Sequence, residues 1–326
     1  MTEAKADPMA GHVEEITVEA QVATADEHSL TVREAFRRYP KAVLWSAVMS
    51  LTIVMEGYDL SLMFKDHGYL ISTPWQTSLG LGATVGAFIS LLFNGRLTER
   101  FGHRLVLMAA LVFMTGVVLA GLPWGIFAVM GPTYASEVCP LALRGYLTAY
   151  VNLCWVIGQL IGAGVLQGLV GNTTEWGYRI PFAIQWVWPL PLFILTYLAP
   201  NSPYWLVRKG RMSEAEDSIR RLSSNLTEEQ IQNSLALIDH TNRLEQSLTA
   251  ESSYWDCFKG TNLRRTEIAC MSLLAQASSG QVLVYTPAYF LIQAGFSPES
   301  AYKINFGASG CAFIATCHSS STACLS

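Results

Sequence analysis

Charge is what this sequence has least of. Charged residues make up 14% of the 326 and hydrophobic residues 51%, whereas an ordinary soluble domain is roughly 25% charged. The few charges are also bunched. Uncharged runs cover Gly68 to Gly95, Leu105 to Ser136, Gly145 to Thr174, Ile180 to Val207, Ile268 to Pro298 and Ile304 to Ser326, and Ala42 to Phe64 is broken only by Glu56 and Asp59. Each run reaches the ~20 residues a helix needs to cross a hydrocarbon core. A soluble core is excluded, and a helix that satisfies its own backbone is the spanning element such runs can form. The expectation is an all-α polytopic membrane protein.

Other shortages narrow the function. Seven cysteines are scattered without CxxC or Cys/His spacing, and Cys154, Cys270 and Cys311 sit inside apolar runs. They read as small apolar residues, so neither a metal site nor a disulfide framework is expected. No nucleophile–base set and no phosphate-cradling loop is present, which argues against an enzyme and against any cofactor. The first forty residues have no apolar stretch and carry Glu3, Asp7, Glu14, Glu15 and Glu19. No cleaved signal peptide is expected, and the first span should serve as its own insertion signal.

One stretch resists simple counting. Leu105 to Tyr134, LVLMAALVFMTGVVLAGLPWGIFAVMGPTY, is uncharged and would rise roughly 45 Å as one helix, long for one crossing and short for two. The positive-inside rule chooses between them. With a cytoplasmic N-terminus and two crossings, all of the 21 Lys and Arg except Lys65, Arg179 and Lys303 fall inside; with one crossing the split is nearly even. Topology therefore demands two spans that the length barely supplies.

Three charged motifs punctuate the apolar runs. GRLTERFGHR, Gly95 to Arg104, suits a tight cytoplasmic turn in which Gly95 and Gly102 bend the chain and Glu99, Arg100 and Arg104 pair with neighbouring helix ends. PTYASEVCPLALRG, Pro132 to Gly145, places Glu137 and Arg144 at a second cytoplasmic junction, where they would meet the first set. PNSPYWLVRKGR, Pro200 to Arg211, ends a helix with prolines and cations. Taken alone, each also reads as a solvated turn that fixes topology.

Together and in this order, the three resemble the sugar-porter branch of the major facilitator superfamily, and their surroundings look most like fungal α-glucoside (maltose-type) proton symporters. The resemblance covers roughly residues 30 to 310. It implies a partial major-facilitator helical bundle of about seven to eight spans where the family has twelve. It implies sugar transport, with an α-glucoside such as maltose and a proton as partners, a lipid bilayer as solvent, a multi-pass location in the plasma membrane, no cofactor and no nucleic acid. His103 replaces a basic residue of the first motif, and Asn201 replaces the glutamate of the third, removing a carboxylate from the cytoplasmic network that latches the family's outward-open state.

The resemblance also assigns roles. Asp59, in GYDLSLM, matches the family's proton-coupling carboxylate; an acid in an apolar span is by itself a functional hypothesis, the alternative being a helix end that faces water. The basic partner expected on the fourth helix is missing, since no Lys or Arg lies between Arg104 and Arg144. Asn152, Trp155 and Gln159 share a helical face, and Asn152 falls where the family's sugar-binding amide lies. Gln276 and Tyr285 match the seventh-helix sugar motif, with Gln281 as a partial substitute for amides lost at Ala277 and Val282. For each of these the alternative is interhelical packing. Trp186 and Trp188 read as packing or interfacial anchors.

The expected organisation is a polar cytoplasmic tail (1–40), an N-terminal transmembrane half (41–207) with a shortened third and fourth helix, a cytoplasmic helical linker (208–266) and an incomplete C-terminal half (267–326). Asn172-Thr-Thr is an expected external glycosylation sequon, and Asn225-Leu-Thr a cytoplasmic, unused one. The eighth segment should dissolve into the Ser/Cys-rich CHSSSTACLS. Against the family pattern, segments are missing after GYDLSLM, within Leu105 to Tyr134 and at the C-terminal side, so truncation and internal deletion are expected. The rival reading is a sensor-like or degenerate membrane protein that does not transport, or a facilitator of another solute.

Overall fold

The computed structural model describes residues 18–62, 73–113, 121–172, 174–224, 226–249, 254–280 and 287–323. Every regular element among them is helical. On the N-terminal side lie α1 (Val18–Ser29), α2 (Val32–Arg38), α3 (Pro40–Leu62), α4 (Thr73–Phe101), α5 (His103–Phe113), α6 (Gly121–Val138), α7 (Leu141–Gly168), α8 (Trp176–Gln185) and α9 (Pro189–Leu198). The short helices α10 (Pro203–Arg208), α11 (Met212–Leu222) and α12 (Glu228–Thr249) follow. A 3-10 turn at Tyr254–Phe258 leads to α13 (Gly260–Ser278), α14 (Pro287–Gln293) and α15 (Pro298–Ala323).

The core sits where α3 meets α6 and α7. Met49, Met55, Phe127, Met130, Tyr134 and Leu143 are all but fully buried there. Glycine permits the closest approach. A Cβ on Gly158 would lie 2.1 Å from the Val54 carbonyl oxygen, and one on Gly57 would lie 2.3 Å from the Trp155 carbonyl oxygen. Small residues that let backbones meet are how membrane helices gain packing without a hydrophobic driving force between them. Two buried tyrosines tie α3 and α6 to their neighbours: the Tyr58 hydroxyl donates to the Pro181 carbonyl within α8 at 2.8 Å and the Tyr134 hydroxyl to the Pro200 carbonyl just after α9 at 2.9 Å.

The linker forms a smaller unit. α11 has a strong apolar stripe of Ala215, Ile219 and Leu222, and the first two join Trp205, Leu206, Val207, Ile231 and Ile238 of α10 and α12 in a separate cluster. Ser202 caps α10, accepting from the Trp205 N–H.

Three described stretches, Leu81–Phe101, Leu141–Gly168 and Arg179–Leu198, are long and apolar enough to cross a membrane. The seven runs read from the sequence do not all meet that standard as helices. α5 has only 11 residues, a rise of about 16 Å, α3 carries Glu56 and Asp59, and α13 opens on Arg264, Arg265 and Glu267. The uncharged Leu105 to Tyr134 stretch is divided between α5 and α6, which pack together. The expected dissolution into CHSSSTACLS is corrected: α15 stays helical through Ala323. Before that tail, the Ser309 and Thr316 hydroxyls donate back to the Asn305 and Ala312 carbonyls within the helix.

Candidate functional site

Asp59 lies near the C-terminal end of α3, yet it is only 5% exposed. The water-facing alternative is thereby corrected. Neither of its carboxylate oxygens has a hydrogen-bond partner; the Trp124 indole of α6 and the Gln185 amide of α8 are its polar neighbours, outside hydrogen-bonding geometry. No ion pair among the described residues involves it, in keeping with the cation missing from the sequence. One turn earlier, Glu56 is also buried, with Oε2 unpartnered.

The unpartnered groups are not all acids. The indole N–H groups of Trp124, Trp155 and Trp188 are buried without acceptors, and the Gln167 side-chain oxygen is buried without a donor. Trp155 and Trp188 flank one apolar cluster with Ile53, Val54 and Cys154. Buried polar groups are almost always paired, so these unpaired atoms on α3, α6, α7 and the turn before α9 stand out. On α7, Trp155 and Gln159 are half-buried and Asn152 is exposed. Gln276 lies on α13, and Gln281 and Tyr285 fall outside the described residues. Trp124, Gln185 and Trp188 are the site residues that sequence reasoning missed or set aside as packing. The available signal was a tryptophan or amide inside an apolar run.

The cytoplasmic motifs meet, though not as expected. Glu137 binds Arg208 at 2.9 Å, and the buried His103 ring lies 3.6 Å from its other oxygen, beyond hydrogen-bonding distance; burial lowers the His103 pKa and keeps the imidazole neutral. Residues from two of the motifs thus meet the carboxylate of the third. The bend is not at Gly95, which lies inside α4. It is at Gly102, whose φ of +83° favours glycine and whose missing side chain admits the Trp205 ring. The Trp205 indole donates to the Glu99 carbonyl at 2.9 Å, pinning the linker to the first turn. Arg100 lies over the Phe101 ring and Arg104 over the Tyr197 ring, at 5.5 and 4.8 Å. Arg144 does not join Glu137; its Nε donates to the Cys139 carbonyl at 3.2 Å. The Asn201 carbonyl accepts from the Ser218 hydroxyl at 2.5 Å.

A cavity of about 450 Å³ between α4, α5 and α6 is lined by Ile89, Phe93, Leu97, Phe113 and other apolar residues, with Arg96 and Arg100 at its edge. Its walls have little with which to bind hydroxyls, and it is separate from the Asp59 site.

Residues 111–323 match the family model for Sugar (and other) transporter. The chain belongs to the sugar transporter family. Among its curated relatives, the general alpha-glucoside permease of Saccharomyces cerevisiae is 39% identical over 328 residues, 89% of this chain and 53% of the permease. The maltose permease MAL61 of the same yeast is 38% identical over 333 residues, covering 90% of this chain and 54% of the permease. The chain therefore spans about half the length of the relatives it matches. In fold it is similar to the major facilitator superfamily proton:xylose symporter XylE bound to 6-bromo-6-deoxy-D-glucose, with a TM-score of 0.66 at 19% identity over 85% of this chain and 69% of that one. A partially occluded, inward-open form of XylE from E. coli gives 0.52 at 22% identity over 77% and 70%. The architecture is that of a partial major-facilitator helical bundle, and the chain is an integral membrane protein with three described stretches long and apolar enough to span.

Proposed function

We propose that this chain carries the proton-coupling side of an α-glucoside/proton symporter of the plasma membrane, with maltose-type sugars as substrate. The observation that carries the reading is Asp59, a carboxylate buried in an apolar bundle with no cation and no hydrogen bond. Such a group is costly unless it takes up and releases a proton. The unpartnered indoles of Trp124, Trp155 and Trp188, with Gln159, Gln185 and Asn152, supply donors and acceptors for hydroxyls and flat faces for a sugar ring. The family resemblance adds Gln276, Gln281 and Tyr285 to that set. The division into tail, first half, linker and second half follows the same reading, and the likeness to α-glucoside and maltose permeases supports the substrate class. Gly95, Glu99, Arg100, Gly102, Arg104, Glu137 and Arg144 form the cytoplasmic gate, with His103 and Arg208 added as the neighbours of Glu137.

In this mechanism an external sugar and a proton bind together, neutral Asp59 permits the bundle to rock, and both leave inside. Proton-coupled maltose uptake by the chain in a transport-deficient cell is the expected result, and Asp59→Asn should abolish the coupled component. Absence of uptake at normal surface expression would overturn the proposal. A second reading, a membrane protein that does not transport, rests on α13, where Ile268, Met271, Leu273 and Leu274 are exposed and no described helix covers them. The same uptake measurement separates the two.

A further inference from the structure

The N-terminal segment does something no part of the proposed transport cycle uses. α1 lies along α12 of the linker and also touches α7 of the first bundle. Ala20 is fully buried and Ala23 is 8% exposed, and Asp26 binds Arg38 at 2.8 Å, beyond the Ser29 end of the helix. Glu27 faces a small cavity of about 60 Å³, which it shares with Tyr39, Glu137, Arg144 of α7, Tyr204 of α10 and Ser234 of α12. One helix therefore touches both the linker and the transmembrane bundle at the cytoplasmic face.

The strength of that attachment can be judged from its parts. Two alanines bury little apolar surface, and Val22 is left 51% exposed. The Asp26–Arg38 pair has an acid that is 45% exposed, so solvent screens most of its value. Against these stands a carboxylate, Glu27, taken partly out of water. A twelve-residue helix is also marginal by itself in water. The favourable and unfavourable parts are small and opposed, so docking and folding of α1 are one weakly poised event.

We propose that α1 is a releasable strap that ties linker helix α12 to the first transmembrane half. Docked, it holds α12 against the cytoplasmic end of α7; released, it unfolds and frees the linker to move with whatever follows it. The proposal does not depend on the chain transporting sugar.

Hydrogen–deuterium exchange of the full chain in lipid nanodiscs tests it. Peptides over 18–29 are expected to exchange about tenfold more slowly than unstructured chain. Ala20→Glu, which forces a charge into the buried contact, and Glu27→Lys, which opposes Arg144, should both abolish that protection and raise exchange over 228–249. Peptides from α3 and α7 should be unchanged and report that the bundle is intact. Glu27→Gln removes the buried charge and should leave α1 docked. Where a substitution disturbs α3 or α7 as well, deletion of residues 18–29 supplies the same comparison on α12. Free exchange of 18–29 in the unaltered chain would overturn the proposal, and so would α12 exchange that ignores the loss of the strap.

Discussion

At the scale of the residue, Gly102 is the most constrained position. Its φ is +83°, and a Cβ there would meet the Trp205 ring at 3.1 Å. Gly102→Ala should cost about 1–2 kcal/mol from the left-handed backbone alone, read as a lower thermal midpoint in detergent. Trp205→Phe keeps a ring beside Gly102 but removes the donor to the Glu99 carbonyl. A loss of about 1 kcal/mol is expected, and no loss would mean that the bond is idle. Asp59 was legible in the sequence because a charge in an apolar run is visible at once. Trp124 and Gln185 were not, because only the crossing of α3 with α6 and α8 brings them to it. His103 was read as a departure from its motif; the turn at Gly102 buries it beside Glu137 of α6.

Among elements, α7 offers an internal comparison. A methyl added to Gly158 collides with the α3 backbone, whereas one added to Gly145 meets nothing within 4 Å. Gly158→Ala should therefore cost about 1–3 kcal/mol through overpacking, while Gly145→Ala should be neutral or gain up to about 1 kcal/mol of helix propensity. Paired thermal unfolding of the two variants checks the sign of each. The attachment of α1 carries a pH signature. Burial raises the Glu27 pKa above the ordinary carboxylate value, with Arg144 and His28 opposing and Asp26 assisting. Burial likewise pushes the facing Tyr39 phenol up to about 12 and raises that of Tyr204, so both stay neutral in the range that matters. A raised acid favours the docked state when protonated. Docking should be firmest in acid, below the unfolded carboxylate value, and weaken as the pH rises through the raised one. Weaker protection of 18–29 at pH 5 than at pH 7.5, each taken relative to the intrinsic exchange rate at that pH, would contradict this sign. The existence of most helices was legible from apolar runs. The extent of α15 was not, because a serine- and threonine-rich tail looks the same, in composition, whether it continues a helix or forms a loop.

For the whole molecule, charge placement predicts orientation. Cys257 is exposed beside the linker, and Asn172 lies after α7 with its side-chain oxygen accepting from the Thr174 N–H at 3.0 Å. In a chain retaining Cys257 as the sole cysteine, a membrane-impermeant maleimide should label inside-out vesicles and not right-side-out ones. The opposite pattern would reverse the topology. The family was legible because three motifs fall in order at fixed places along the chain. What could not be read was which helices would stand covered, since that depends on neighbours and not on local pattern. One consequence of the α3–α7 crossing extends to motion. With backbone against backbone at Gly57 and Gly158, these two helices have no slack in which to slide. They form a single stiff lever, with Asp59 fixed to one arm and the Trp155 and Gln159 face to the other. Asp59 and the polar face then travel together, and any hinge must lie outside the pair.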